Sequence, residues 1–304
     1  MFLAPRVAQD GRQPSGPATG FRLLLGAVVL LAGSVRAEPV ATGSSDTQSA
    51  ITLSRSDYNV VLKPGQAMVV DNPYGNVSAR FGGFEHKVET HAVMQEPAGA
   101  MQIEVKPDLD SGGRYRIAPH LPTGAALAEG QRLDLAVLVP EGHPLSVHTD
   151  QGQIEVRGVH GDLQLSSVAG DIKLRGIKGV IQAETAEGSI EAALGTAPRK
   201  SHQRLATRTG EIKVGVDDEL DAEVDMATSA LFATEYSLKV TPRPGQEPNK
   251  HARTVIGANA ASLVLESRRG QISVSRRSSF LTKGSASSTA RGSKQEEQED
   301  NDSD

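Results

Sequence analysis

The sequence predicts an all-β fold, a β-solenoid (β-helix) wound in about 18-residue coils. Three observations predict it. Glycines stand at positions 152, 161, 170, 179 and 188, evenly spaced at nine. Apolar residues alternate between them: Ile154 and Val156, Leu163 and Leu165, Ile172 and Leu174, Ile181 and Ala183, Ile190 and Ala192. Outside this block the chain consists of short alternating runs flanked by Gly or Pro, without a capped apolar stripe of 3.6-residue period.

The elements follow in chain order. Arg22 precedes an apolar run, Leu23 to Val35. Its length suits a signal-peptide core and falls short of the roughly 20 residues that span a bilayer. Ala37 offers a small residue for cleavage, so residues 1–37 read as a signal peptide, with an uncleaved anchor or a buried strand as the alternative. The long stretch before Arg22, carrying Asp10, is unusual for such a leader. Residues 38–50 are small and polar, a linker. The folded part is expected over 51–277, with strands around Val60–Leu62, Ala67–Val70, Val77–Ala79, Met101–Val105 and Leu133–Val139. Ala125–Leu133 tolerates helix but is interrupted by Gly130. Residues 220–234 read as strand because Leu220, Ala222, Val224 and Met226 alternate with acidic neighbours. Longer loops are expected at 96–131 and 240–260. From Ser278 the chain is polar and ends with six acids in ten residues, so 278–304 reads as a disordered acidic tail.

Alternate units agree better than adjacent ones. Gly152–Gly158 (GQIEVRG) matches Gly170–Gly176 (GDIKLRG) at five of seven positions when Val and Leu count as equivalent. One coil is therefore two strands and two turns. A lone coil cannot bury its apolar face, whereas stacked coils bury it between strands about 4.8 Å apart. This register places Ile154, Ile172 and Ile190 in one ladder and Val156, Leu174 and Ala192 in the next. Val147, Leu165 and Ala183 form a ladder on the opposing sheet. Outside, Glu155, Lys173 and Glu191 alternate in sign, which avoids repulsion between neighbouring rungs. Looser copies begin at Gly75, Gly210 and Gly270 and extend the stack to about 60–277.

Composition narrows the function. The chain has no Cys and no Trp, with four Tyr and six Phe, so its core is aliphatic. Lack of Cys excludes disulfides, Cys-ligated zinc, a thiol nucleophile and a cysteine-linked lipid anchor. The net charge is −5, and −8 once residues 1–37, with their four Arg and one Asp, are removed. So acidic a chain is a poor general binder of nucleic acid, whose affinity comes from neutralising phosphates.

Leu135–Gly142 (LAVLVPEG), Leu145–Val156 (LSVHTDQGQIEV) and Val168–Leu174 (VAGDIKL) resemble the bacterial putative-adhesin family of unknown function, exported β-solenoid repeat proteins. Gly270–Val274 (GQISV) resembles that family's closing repeat. The resemblance covers about residues 60–277. It implies a right-handed parallel β-solenoid in an exported protein, and it brings no catalytic residues with it.

Each chemistry-bearing residue also has a plain structural reading. The eight histidines (86, 91, 120, 143, 148, 160, 202, 251) form neither HExxH nor HxH and read as solvent-exposed side chains. Glu155 and Glu191 lie two rungs apart, close to a glycosidase spacing, but Lys173 separates them and no Trp is present for sugar stacking. Asp162 and Asp171 follow glycines but lack the GGxGxD context of calcium nonapeptides, and read as turn residues. Ser166 and Ser167 have no arguable nucleophile geometry. Arg268, Arg269, Arg276 and Arg277 form a basic cluster at the last strand, read as a charged edge that blocks end-to-end stacking, with binding of an anionic glycan, a lipid headgroup or the acidic tail 296–304 as the alternative. Asn76 and Asn301 open formal glycosylation sequons. No catalytic, cofactor-binding or metal residue is assigned and no cofactor is expected. The expected function is a non-enzymatic adhesin-like or scaffold module of the cell envelope, periplasmic or surface-exposed, with an envelope protein or glycan as partner and no transmembrane span after signal cleavage. The alternatives are a carbohydrate-active enzyme and an envelope-stress or regulatory accessory protein.

The register is testable by thermal melting. Ile172→Lys should abolish the cooperative transition by placing an unpaired charge in the central ladder, while Lys173→Gln should melt like the parent. A native transition in Ile172→Lys would contradict the register.

Overall fold

The computed structural model describes residues 51–122, 125 and 127–277. The expected signal peptide, linker and acidic tail lie outside the described residues. All named elements are β-strands, and no helix among the described residues is long and apolar enough to cross a membrane.

The chain opens with the long strand β1 (Ile51–Val61), followed by β2 (Met68–Asp71) and β3 (Val77–Phe81). Next come β4 (Lys87–Pro97), β5 (Glu104–Leu109), β6 (Tyr115–His120) and β7 (Arg132–Val139). The glycine block supplies β8 (Leu145–Gln151), β9 (Ile154–Arg157), β10 (Leu163–Ala169), β11 (Ile172–Arg175), β12 (Ile181–Glu187) and β13 (Ile190–Leu194). Then follow β14 (His202–Thr209), β15 (Ile212–Val216), β16 (Ala222–Thr228), β17 (Phe232–Thr234), β18 (Lys239–Pro242), β19 (Lys250–Ile256), β20 (Ala261–Ser267) and β21 (Ile272–Arg276).

These strands make two mixed sheets. One has ten strands in the order β1-β4-β7-β3-β9-β11-β13-β15-β21-β17, and the other eleven in the order β18-β19-β16-β20-β14-β12-β10-β8-β2-β6-β5. In the middle the chain alternates between the sheets, and each strand runs parallel to its counterpart in the next coil. Leu145, Leu163 and Ile181 are in register, as are Ile154, Ile172 and Ile190, so the predicted coil length holds here. The step from Ile190 to Ile212 is greater, because the β13–β14 connection is longer.

The predicted ladders are present and run further than the sequence indicated. Leu135, Val77, Ile154, Ile172, Ile190, Ile212 and Ile272 form one continuous column, each at most 2% exposed. Val70, Val147, Leu165, Ala183, Leu205, Leu265 and Met226 form its counterpart in the opposite sheet. Alternation explains both, since every second side chain of each strand points between the sheets.

Two expectations need correction. The stack is not a uniform parallel array in chain order. β6 and β7 pair outside β2 and β3, and β20 and β21 insert between β14–β15 and β16–β17. Antiparallel strands close the ends: β1 and β4 beside β7, β5 beside β6, and β18 and β19 beside β16. The segments expected as loops at 96–131 and 240–260 therefore contain β5 and β6, and β18 and β19. Strand formation there satisfies backbone groups that an end coil would leave unpaired. The reading of 220–234 as strand holds over β16, which alternates between buried and half-buried positions, but the chain turns after Thr228 and continues as β17 in the other sheet.

Glycine fixes the distance between coils. Gly152, Gly170, Gly188, Gly210 and Gly270 lie over one another at the turn between the sheets. A Cβ on Gly170 would overlap the carbonyl oxygen of Gly152, one on Gly188 that of Gly170, and one on Gly210 that of Gly188. A row of buried hydroxyls lines the same corner. Thr185 Oγ1 donates to Gly170 O (3.0 Å), Thr207 Oγ1 to Gly188 O (2.8 Å), Ser267 Oγ to Gly210 O (2.9 Å) and Thr228 Oγ1 to Gly270 O (2.7 Å). Thr149 Oγ1 does the same for Gly75 O at 3.1 Å. Ser167 occupies the equivalent place, but its Oγ makes no hydrogen bond among the described residues.

Gly170→Ala should therefore lower the melting temperature strongly, by about 1–3 kcal/mol of overpacking or more. Gly195→Ala, where an added Cβ meets nothing within 4 Å, should be close to silent. Equal melting of the two variants would rule out the carbonyl contact as the spacing device.

Candidate ligand-binding face

Side chains that alternate outward from the ten-stranded sheet form its exposed face. Strand register arranges them in two rows. The first row contains Ser78, Glu155, Lys173, Glu191, Lys213 and Ser273. The predicted Glu-Lys-Glu alternation is thus present and continues to Lys213. The second row begins with Arg80, Arg157 and Arg175 on adjacent rungs, followed by Ala193 and Gly215. Neighbouring rungs are about 4.8 Å apart, so three guanidinium groups share a strip roughly 10 Å long.

Like charges on adjacent strands repel unless they are compensated. Compensation here is partial. Arg157 Nε donates to Glu155 Oε1 at 2.6 Å, and Arg175 Nη2 donates to Glu191 Oε1 at 3.1 Å. Both arginine side chains remain close to half exposed, at 48% and 46%. Arg80, Lys173 and Lys178 make no ion pair among the described residues. The strip is thus locally basic on an acidic chain.

An aromatic corner adjoins it. Phe81 follows Arg80, is 49% exposed, and stacks on the His160 ring with centroids 5.1 Å apart. Gly158 lies beside it at φ +66°, where a Cβ would come within 3.4 Å of the Phe81 Cβ. Glycine there allows both the left-handed turn and the approach of the ring. Phe84 projects from the β3–β4 turn at 91% exposure. Within that turn, Glu85 and His86 have φ of +55° and +63°, which side-chain-bearing residues adopt at a cost.

The opposite sheet presents a different surface. A groove of about 370 Å³ on its outer face is lined by Ser166, Glu184, Arg204 and Glu266 among others. Arg204 lies 3.5 Å from Glu184 and 3.2 Å from Glu266, so its charge is matched internally.

The residues singled out in the sequence have the following places. Asp162 and Asp171 are turn residues: Asp162 Oδ1 accepts the Val180 N–H at 2.9 Å, and Asp171 Oδ1 accepts the Ser189 N–H at 2.7 Å. Each carboxylate thus ties its coil to the next. Asn76 acts similarly, its Oδ1 accepting the Gln153 N–H at 2.7 Å. Glu155 and Glu191 flank Lys173 as expected, and each is engaged by an arginine. The four C-terminal arginines do not form one cluster. Arg269 pairs with Glu247 at 2.9 Å and Arg277 with Asp217 at 2.9 Å. The Arg269 guanidinium holds the Glu247 carboxyl below its usual range, through its hydrogen bond first and its charge second. Nor do these arginines mark a sheet edge, because β17 pairs outside β21 and β16 outside β20.

His143 corrects the expectation that the histidines are exposed. It is fully buried. Its Nδ1–H donates to the Gln66 carbonyl at 2.8 Å, and its Nε2 lies 2.9 Å from His86 Nδ1. Because the carbonyl can only accept, a neutral His143 ring accepts the His86 N–H. His148 stays at the surface beside Asp150 at 3.2 Å, one rung from Ser166 and two from Glu184. Among the described residues, no three His, Cys, Asp or Glu side chains converge on a point that could hold a metal ion.

Sequence reasoning missed the basic row although its signal is visible. Gly75–Arg80, Gly152–Arg157 and Gly170–Arg175 each place Arg five positions after the unit's glycine. It missed the hydroxyl row too. Thr149, Ser167, Thr185, Thr207 and Ser267 each stand three positions before their glycine.

No family model matches the chain, and no curated protein matches it. Solved structures resemble it at low identity, among them the following three. A putative cell adhesion protein from Clostridium sporogenes is 13% identical with a TM-score of 0.43, covering 73% of this chain and 100% of that one. A putative adhesin from Bacteroides fragilis is 12% identical with a TM-score of 0.33, covering 73% of this chain and 97% of that one. A putative adhesin from Parabacteroides merdae is 8% identical with a TM-score of 0.28, covering 72% of this chain and 95% of that one.

Proposed function

We propose that this protein is a non-enzymatic, exported binding module of adhesin or scaffold type that recognises an anionic polymer of the cell envelope. The observation that carries this reading is the row Arg80, Arg157 and Arg175 beside the Phe81–His160 stack. Three guanidinium groups at the repeat of the sheet can each donate to a charged oxygen, and the adjoining rings offer an apolar surface. The strip is flat and repetitive, which suits an extended ligand. Engagement of Glu155 and Glu191 by arginines favours binding over the glycosidase alternative. The apolar run Leu23–Val35 before Ala37 supports export. A right-handed winding of the parallel coils completes the proposal, supported by the strong right-handed preference of crossovers between parallel strands.

Binding to heparin, as a sulfated polysaccharide probe, and to uncharged dextran tests the proposal by titration calorimetry. Heparin should bind, with affinity falling as salt rises, and dextran should not. Replacing Arg80, Arg157 and Arg175 together by Gln should weaken heparin binding roughly tenfold, about 0.5 kcal/mol per exposed contact. Unchanged affinity in the triple variant, or equal binding of dextran, would refute the assignment of the face.

A further inference from the structure

The edge of the ten-stranded sheet at β1 is unusually complete. β1 runs for 11 residues, roughly 37 Å at about 3.4 Å per residue, against a usual length of about 5–6 residues. It pairs with β4 residue for residue from Ile51 to Val61 without a bulge. It contains no Pro and no Lys, the residues that commonly blunt an edge. Ile51, Leu53 and Val61 are 58%, 67% and 70% exposed along it.

The backbone groups of β1 that have no partner among the described residues can be assigned. Leu62 N donates to His86 O at 2.9 Å, immediately beyond the Val61–Lys87 pair. In an antiparallel ladder, alternate residues direct both N–H and C=O to the same neighbour. Even-numbered residues of β1 therefore bond to β4. The six odd-numbered ones, Ile51 to Val61, direct theirs outward.

The order of side chains on that edge is self-complementary. A two-fold axis through Ser56 sets Arg55 opposite Asp57 of a second copy, and Asp57 opposite that copy's Arg55. It also sets Ile51 against Val61, both exposed. Arg55 makes no ion pair among the described residues. Asp57 uses Oδ1 to hold His91 at 2.6 Å, which leaves its other oxygen for a guanidinium. The axis passes through an even residue, so the odd positions face one another as hydrogen-bonded pairs. With two bonds at each of the six odd positions, the edge offers twelve main-chain hydrogen bonds, comparable to the ten or so of a typical interface. We propose that β1 pairs antiparallel with β1 of a second copy about Ser56, making a two-fold dimer with one continuous sheet.

Sedimentation analysis of the purified chain tests this, with thermal melting as a folding control. The parent should be a dimer at micromolar concentration. R55D alone sets like acids together and should be monomeric, and D57R alone sets like bases together and should be monomeric. An equimolar mixture of the two should dimerise again, because each Asp then meets an Arg. S56C should form an intermolecular disulfide on oxidation, while T52C, which the axis places opposite Val60, should not. A monomeric parent would overturn the proposal. So would single variants that stay dimeric, or a mixture of folded single variants that stays monomeric. A disulfide formed by T52C as readily as by S56C would show a different register and overturn it as well.

Discussion

The structure depends on how closely one coil can lie on the next at the glycine corner. Stacked strands fix their mutual distance through hydrogen bonds, and at the corners the glycine amides continue that ladder, as Gly170 N–H does to Glu187 O and Gly188 N–H to Thr209 O. Here the absence of a Cβ lets each glycine lie against the carbonyl of the glycine one coil away. At Gly75, Gly170, Gly188, Gly210 and Gly270 that carbonyl accepts a buried Thr or Ser hydroxyl, as with Thr185 on Gly170 and Thr207 on Gly188. A buried carbonyl left unbonded costs free energy, and a buried hydroxyl does too. Each satisfies the other, and the aliphatic columns on both sides of the corner close over them.

From this spacing follow both the core and the surface. Once the coils are in register, every inward position repeats, so Ile154, Ile172, Ile190 and Ile212 stack as one column. Every outward position repeats as well, and a residue type that recurs within the unit becomes a row on the surface. Arg157 and Arg175 are such a row, extended by Arg80 from the looser unit at Gly75. A repetitive face is thus a by-product of repetitive folding, and its chemistry is set by one position of the unit. The ends obey a different constraint. A coil at the end of a stack has unpaired backbone groups, and the antiparallel strands β4, β5 and β19 cover them. Covering moves the open edge outward to β1, β5 and β18, while β17, parallel to β21, is itself an edge among the described residues; β1 is the longest of the four.

Much of the stack was legible in the sequence, because a nine-residue glycine spacing with period-two apolar residues has few other physical meanings. The Ile ladder and the Glu155, Lys173, Glu191 alternation follow from it directly. The order of the coils did not, since nothing local in β20 and β21 announces that they insert beside β14 and β15. The β4 strand also escaped notice, although Val88, Thr90, Ala92 and Met94 alternate, because Glu89, Thr90 and His91 dilute its apolar character. His143 could not be read as buried from its neighbours: the groups that satisfy it lie 77 residues away in Gln66 and 57 away in His86. The hydroxyl row was hidden for a related reason. A Thr at an inward position looks like a break in the apolar pattern until its acceptor, one coil distant, is known.

The central claim is that glycine contact and hydroxyl bond join adjacent coils into one cooperative unit. Native-state amide hydrogen exchange on the parent and on Thr185→Val tests it most directly. The amides of Gly170, Gly188, Ile172 and Ile190, which bond across coils to Glu187, Thr209, Ser189 and Glu211, should exchange slowly and together in the parent. In Thr185→Val they should lose protection by a common factor. If the glycine amides instead exchange at the rate of surface turns, or if only residues beside the substituted position respond, the coils are not coupled at this corner and the account fails.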